Sequence, residues 1–369
     1  MKIVFVSYNN QPGYNSPQLW LERIKTFEAL MEAAGSHCKV IYVKQINYEA
    51  RFLQNGVEYI FLRSNKKKSW FPGRINNIVK QLDPDIVIVS GILYTLQIIQ
   101  LKWKLGRKVR IIGRQHADRP PRGVRRVLQR FADKCFNYYF FTSVGNATEW
   151  IDSGIIKNKE KICELLEAST DFLRQDKERS KQITGMTLGN NFIWVGRLNE
   201  NKDPLTVLKG FEKYLLVEPN ASLYMIYDVE DLLPLIKNFI GQNADLERAV
   251  FLKGYVPNNE LPAWFSAADF YISGSHSEGG SYALLEAMAC GCIPIVTAIP
   301  AAIKMTGDGK YGIIFNPGDA TDLANKLLGL SSIDQTATSV SIENYFRTEL
   351  SSVAIADKLY DYCKKLLAE

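Results

Sequence analysis

The stretch Tyr271–Thr297, YISGSHSEGGSYALLEAMACGCIPIVT, holds the residues whose types and spacing can do chemistry. It reads as a strand, a Gly/Ser loop, a helix from about Ser281 closed by Gly291, and a second strand. A helix N-terminus after a glycine-rich loop exposes unpaired N–H groups and the positive end of a dipole. That makes an anion site, and phosphate is its usual occupant. Gly279 and Gly280 let the backbone approach a ligand with no Cβ in the way. Glu278 and Glu286 flank the feature with seven residues between them. Glu286, on the second helical turn, can accept a paired hydrogen bond from a vicinal diol such as a ribose. Glu278, in the loop, can reach whatever lies beyond the phosphates. Taken alone, Glu286 reads as one more carboxylate on a solvated helix face. The combination within one strand–loop–helix unit is far more specific.

A second candidate is VGRLNENKDP, where Arg197 and Lys202 follow the strand Asn191–Val195. A guanidinium and an ammonium at the top of a sheet can neutralise a diphosphate, although a solvated basic loop would show the same composition. Of three His, His276 reads as a structural loop residue, and His116, in IIGRQHADRP, stands at a strand end. The six Cys include Cys290 and Cys292 but form no C-x-x-C pair and no metal-like spacing with His, which suits reduced thiols. No D-x-D cluster with a metal-ligand context appears, so no metal is expected. No pair of carboxylates is arranged as the nucleophile and acid of a glycosidase.

These loops need strands to hold them. Apolar runs at Lys2–Ser7, Cys38–Val43, Asp85–Ser90, Val109–Gly113 and Tyr138–Thr142 alternate with helical segments, among them a long helix over Gln18–Ala34. The rhythm restarts at Asn191–Val195 and continues through Ser222–Tyr227, Val250–Lys253, Phe270–Ser273 and Ile293–Thr297. Apolar strands separated by helices imply parallel sheets covered on both faces. The expected fold class is therefore α/β, with two Rossmann-like doubly wound domains facing a cleft. Ligands of such sheets bind at the C-terminal ends of the strands. The expected domains are residues 1–172, residues 173–348, and a terminal helix in 349–369 packing back towards the first. Arg174–Asn190 has the composition of a linker.

With 46% hydrophobic and 23% charged residues among 369, the chain has globular proportions, which excludes a disordered, collagenous or disulfide-scaffold protein. The first ten residues read as a strand rather than a signal peptide, and no stretch is long and apolar enough for a transmembrane helix. The net charge of +6 conceals an asymmetry: residues 1–170 carry +13 and the remainder −7. Basic stretches at Arg119–Arg130 and at Lys66–Phe71, where Trp70 and Phe71 follow three lysines, suit an anionic membrane surface, or else a solvated face. No nucleic-acid recognition motif accompanies them.

Together these residues resemble the family-4 retaining glycosyltransferases of the two-Rossmann GT-B fold. The likeness rests on the paired glutamates followed by EAMACG, on GRL…K, on FLKGYVPNNELPAWFSAADFYIS and on IIFNPGD. It spans roughly residues 135–330, including a crossover-like segment at Ile155–Phe172, and is only architectural over residues 1–110. The resemblance implies that Arg197 and Lys202 hold the donor pyrophosphate and that Glu286 binds the ribose hydroxyls. It further implies that Glu278 and the backbone of Gly280 and Ser281 contact the donor sugar. Tyr282 and Ala283 would then meet the phosphate, Tyr255 and Val256 the base, and His116 would stand beside the donor sugar. Glu278, His116, Arg197 and Lys202 are the catalytic set so implied.

The activity implied is metal-independent, cofactor-free transfer of a hexose from a nucleotide diphosphate sugar, UDP before GDP. The acceptor would be a glycan or lipid-linked glycan in cell-surface polysaccharide synthesis. The protein would be cytoplasmic and peripheral at the inner membrane face, with no nucleic-acid partner. A nucleotide-sugar epimerase or hydrolase on the same fold, and a non-catalytic nucleotide-sugar-binding scaffold, are the alternatives. Two departures stand out: the acceptor-side loop SYNNQPGYNSPQ has only Gly13 where many members have a Gly-Gly pair, and Tyr227-Asp228 replaces a Gly-rich turn.

Overall fold

The computed structural model describes residues 1–369 apart from 12, 64–71, 117 and 187–188. The run Lys66–Phe71 therefore lies outside the described residues. The chain forms two compact units, one of Met1–Ser169 with Ser351–Glu369 and one of Thr170–Leu350. Among the described residues no helix is long and apolar enough to cross a membrane.

The first unit is built on strands β1 (Lys2–Ser7), β2 (Lys39–Ile46), β3 (Ala50–Gln54), β4 (Val57–Arg63), β5 (Ile86–Ser90), β6 (Arg110–Arg114), β7 (Tyr138–Phe141) and β8 (Ile162–Glu164). Their order is β3-β4-β2-β1-β5-β6-β7-β8, parallel throughout except for the antiparallel edge pair β3/β4. Central strands such as β5, IVIVS, bury residues on both faces because helices cover both sides.

Two features differ from the sequence expectation. The β3/β4 hairpin turns on Asn55-Gly56, both at positive φ (47° and 79°), the signature of a two-residue type I′ loop. The helix expected over Gln18–Ala34 is instead two, Pro17–Arg23 and Lys25–Gly35. Ile24 leaves helical geometry at φ −109°, ψ 18°, and no proline or glycine in the sequence marks the break. The last helix, Ser352–Ala368, is capped by Ser351 and packs on Lys25–Gly35. It buries Ile355, Leu359, Cys363 and Leu366 in the same core as Leu30 and Met31.

The second unit holds β9 (Asn191–Gly196), β10 (Ser222–Tyr227), β11 (Val250–Gly254), β12 (Phe270–Ser273), β13 (Ile293–Thr297) and β14 (Ile313–Phe315), all parallel, in the order β11-β10-β9-β12-β13-β14. Counted along this unit the order is 3-2-1-4-5-6, that of a dinucleotide-binding sheet. Its topological switch point lies between β9 and β12. The segment expected as a linker, Arg174–Asn190, contains a helix, Lys177–Thr184. Asp176 caps its N-terminus, Gly185 ends it in the left-handed region, and it packs on the helix Leu261–Ala267.

Candidate functional site

Two loops leave the sheet side by side at the switch point, after β9 and after β12. Residues 197–203 follow β9 and end at Asp203, which caps the helix Pro204–Leu215 by accepting from the Thr206 N–H at 3.1 Å. Residues 274–281 follow β12 and end at Ser281, which caps the helix Tyr282–Ala289 by accepting from the Leu284 N–H at 3.4 Å. The loops are laced together. The His276 N–H donates to the Asn201 carbonyl at 2.8 Å, and Asn201 Nδ2 donates to the Ser277 carbonyl at 3.0 Å. His276 Nε2 lies 2.9 Å from Asp203 Oδ2, so this histidine braces the loop. Thr297 Oγ1 ties the second loop down through the Ser275 carbonyl at 2.5 Å. A Cβ on Gly274 would meet the Asp203 carbonyl oxygen at 2.7 Å, so the loops can approach this closely only with glycine there.

A cavity of 610 Å³ opens where these loops meet. Into it come Arg197 and Lys202 from the β9 loop, Tyr255 and Val256 after β11, and Glu278, Gly280 and Ser281 from the β12 loop. Tyr282, Ala283 and Glu286 complete the set from the helix, so all ten residues named as donor-binding line one cavity. The helix N-terminus thus faces the cavity with its dipole's positive end. His116 and Gly13 belong to the first unit. His116 follows β6 and pairs through Nδ1 with Glu167 Oε2 at 2.9 Å, while Gly13 sits in the loop after β1 at φ +107°.

The charged groups of the cavity differ in how they are satisfied. Lys202 Nζ and Glu278 Oε1 are hydrogen-bonded to each other, both largely shielded from solvent. Arg197 is exposed, and its guanidinium has no ion pair or hydrogen bond among the described residues. Glu286 is only 8% exposed, so the solvated helix face is not its setting, and no hydrogen bond reaches its carboxylate from the described residues. Burial, reinforced by the charge of Asp171, pushes its pKa up to about 7.

The cavity also takes in Asn199, Asn258 and Asp228, which the sequence reading did not assign. Each asparagine had one available signal, Asn199 its place inside the GRL…K loop and Asn258 its place inside FLKGYVPNNELPAWF. Among the described residues no three His, Cys, Asp or Glu side chains cluster as a metal ion would require.

The cavity thus sits at the switch point of a 3-2-1-4-5-6 sheet and combines a helix N-terminus, two cationic side chains and a buried carboxylate, the place where such sheets bind phosphate-bearing ligands. Residues 153–345 match the family described as Glycosyl transferases group 1. The chain belongs to this family.

Sulfoquinovosyl transferase SQD2 of Arabidopsis thaliana is 37% identical over 139 residues, covering 37% of this chain and 25% of that protein. The GDP-mannose:cellobiosyl-diphosphopolyprenol alpha-mannosyltransferase of Xanthomonas oryzae is 26% identical over 154 residues, 39% of this chain and 38% of that one. The match therefore spans between a quarter and two fifths of these relatives' length. The structure of HepE from Anabaena in complex with UDP superposes with a TM-score of 0.73 at 15% identity, over 99% of this chain and 100% of that chain. At that identity the likeness establishes the fold. The chain is an α/β protein with two Rossmann-like parallel-sheet domains of the GT-B type, as the sequence led us to expect.

Proposed function

We propose that this glycosyltransferase is a retaining, family-4 enzyme that moves a hexose from a nucleotide diphosphate sugar to a glycan or lipid-linked glycan acceptor. UDP is the first expected nucleotide and GDP the second. The observation that carries the reading is Glu286, a buried carboxylate without a hydrogen-bond partner among the described residues, facing a cavity that also receives Arg197. An unsatisfied buried acceptor is costly unless a ligand supplies the donors, and a ribose diol supplies two. The UDP bound by HepE and the diphosphopolyprenol in the name of the Xanthomonas relative support this donor and acceptor class.

In the reaction so proposed, the acceptor oxygen attacks the anomeric carbon from the face the diphosphate leaves. The new C–O bond forms as the bond from C1 to the phosphate oxygen breaks, and the acceptor's proton passes to the departing diphosphate. Arg197 and Lys202 take up the charge that grows on the leaving oxygens, the contribution a divalent metal makes in other transferases. Glu278 holds the Lys202 ammonium in place and contacts the donor sugar. Tyr282 and Ala283 set the phosphate on the helix end, and Tyr255 and Val256 flank the base. His116 and the Gly13 loop serve the sugar and the acceptor, and work at the cytoplasmic face of a membrane brings a lipid-linked acceptor within reach.

A thermal-shift panel of UDP, GDP, ADP, TDP and CMP, with and without EDTA, tests this on wild type and Glu286→Ala. One nucleotide at about a hundred times its Kd adds roughly 2.7 kcal/mol of apparent stability to wild type. The variant should lose most of that shift, and EDTA should leave it unchanged. No shift with any nucleotide rejects the donor reading, and a shift abolished by EDTA rejects metal independence.

A further inference from the structure

We propose that the outward face of the helix Gly123–Asp133 inserts shallowly into an anionic lipid surface. Val124, Val127, Leu128 and Phe131 recur at the spacing that places them in one stripe, and all four are exposed, Val124 at 77% and Phe131 at 54%. The opposite face is buried and polar. Gln129 Nε2 donates to the Ile92 carbonyl at 2.7 Å, and its Oε1 accepts from Thr95 Oγ1 at 2.6 Å. Asp133 Oδ1 accepts from the Tyr139 hydroxyl at 3.0 Å and pairs with Lys161 Nζ at 3.1 Å. A surface helix of a globular protein buries its apolar stripe and shows its polar face to water. This helix is docked the other way round, by hydrogen bonds, and leaves its apolar stripe outside.

The charge around the stripe decides what covers it. Arg126 Nε and Arg130 Nη2 are bonded to the Ser153 carbonyl, at 2.7 and 2.9 Å, so they help to fix the helix. Arg122, Arg125 and Lys134 are exposed beside the stripe, and Lys134 Nζ lies 5.8 Å from the Phe131 ring. The helix Thr95–Leu105 packs against this one and carries Trp103, 84% exposed, the side chain that favours a lipid–water interface. A second copy would bring two strongly basic surfaces together, whereas an anionic bilayer meets both the apolar stripe and the cations.

This deepens the membrane reading above and rests on it, but the test needs no transfer. The full chain is sedimented with phosphatidylcholine vesicles and with vesicles containing 30% phosphatidylglycerol, and stabilisation by UDP is measured in parallel. Wild type should bind the anionic vesicles roughly tenfold more than the neutral ones. Val127→Ser with Phe131→Ser, which leaves the net charge unchanged, should lose roughly tenfold on the anionic vesicles. Arg125→Gln with Lys134→Gln should lose a few-fold, and both variants should keep the wild-type Tm. Equal binding to the two vesicle types, no binding at all, or full binding by the serine variant overturns the proposal. So does a dimeric wild type that the serine substitutions make monomeric while vesicles are ignored, since a second copy then covers the face. If UDP stabilises the protein while vesicles are ignored, this inference fails and the donor reading stands.

Discussion

Each unit buries an ionisable side chain that no opposite charge pairs with among the described residues, and the two fare differently. Lys44, near the end of β2, is 1% exposed, and burial lowers its pKa to about 7. Its ammonium donates to the Asn9 carbonyl at 2.6 Å and to Ser7 Oγ at 3.3 Å, and lies 4.1 Å from the Trp20 ring. Glu286, in the second unit, has its pKa raised to about 7, also chiefly by burial, but its side chain lines a cavity and receives no hydrogen bond from the described residues. A displaced pKa alone would nominate both as functional groups. Satisfaction separates them: Lys44 pins the loop that follows β1, whereas the Glu286 carboxylate has no hydrogen-bond partner among the described residues.

The largest effect expected within this comparison belongs to Arg197, the cation whose side chain, like that of Glu286, has no partner among the described residues. Arg197→Ala should lower kcat for transfer by about 10³, roughly 4 kcal/mol of transition-state stabilisation. The Tm should not move, because no described residue depends on this guanidinium. A loss below tenfold in a steady-state assay would remove Arg197 from the leaving-group role. Lys44 should behave in the opposite way, through stability. Its folded pKa lies below the ordinary value of 10.5, so the stability it contributes is complete above that value and lost as pH falls through about 7. Wild type minus Lys44→Met, measured by urea melts, should therefore rise by about 1.4 kcal/mol per pH unit between pH 7 and 10. A flat difference would show that the amine is not held neutral.

Much of this arrangement was legible in the sequence, for definite physical reasons. Strands buried on both faces carry continuous apolar runs, so Ser222–Tyr227, Phe270–Ser273 and Ile293–Thr297 are bounded in the structure as read. The site helix carried a serine cap and a closing glycine, and Gly291 does adopt φ +72°. Where the reading failed, it had followed composition over local geometry. Asn55-Gly56 is a hairpin signal lying in plain view, and Asp176 with Gly185 brackets a helix inside a polar stretch that resembles a linker. The break at Ile24 and the burial of Glu286 had no local signal, because both are set by packing between elements distant in sequence. The inverted helix was half legible. Its arginines were plain, but only burial shows that Gln129 and Asp133 face inwards.

The smallest effect discriminates best between a structural and a ligand-binding carboxylate. Hydroxyl donors favour the ionised form of Glu286, so its contribution to nucleotide affinity should be present above pH 7 and lost as pH falls through about 7. Calorimetric titration with UDP should show about tenfold weaker binding at pH 6 than at pH 8 in wild type, beyond whatever Glu286→Gln shows. The ligand's own phosphate titrates equally in both proteins and cancels. In the ligand-free protein the same raised pKa acts with the opposite sign. The stability it contributes is complete below the ordinary carboxylate range and disappears as pH rises through about 7, because charging a buried group without partners is unfavourable. At pH 8, Glu286→Gln should therefore melt higher than wild type while binding UDP less tightly. A carboxylate kept for the fold would lose stability on substitution and leave the nucleotide untouched. A group that destabilises the empty protein and tightens the complex is held for its ligand.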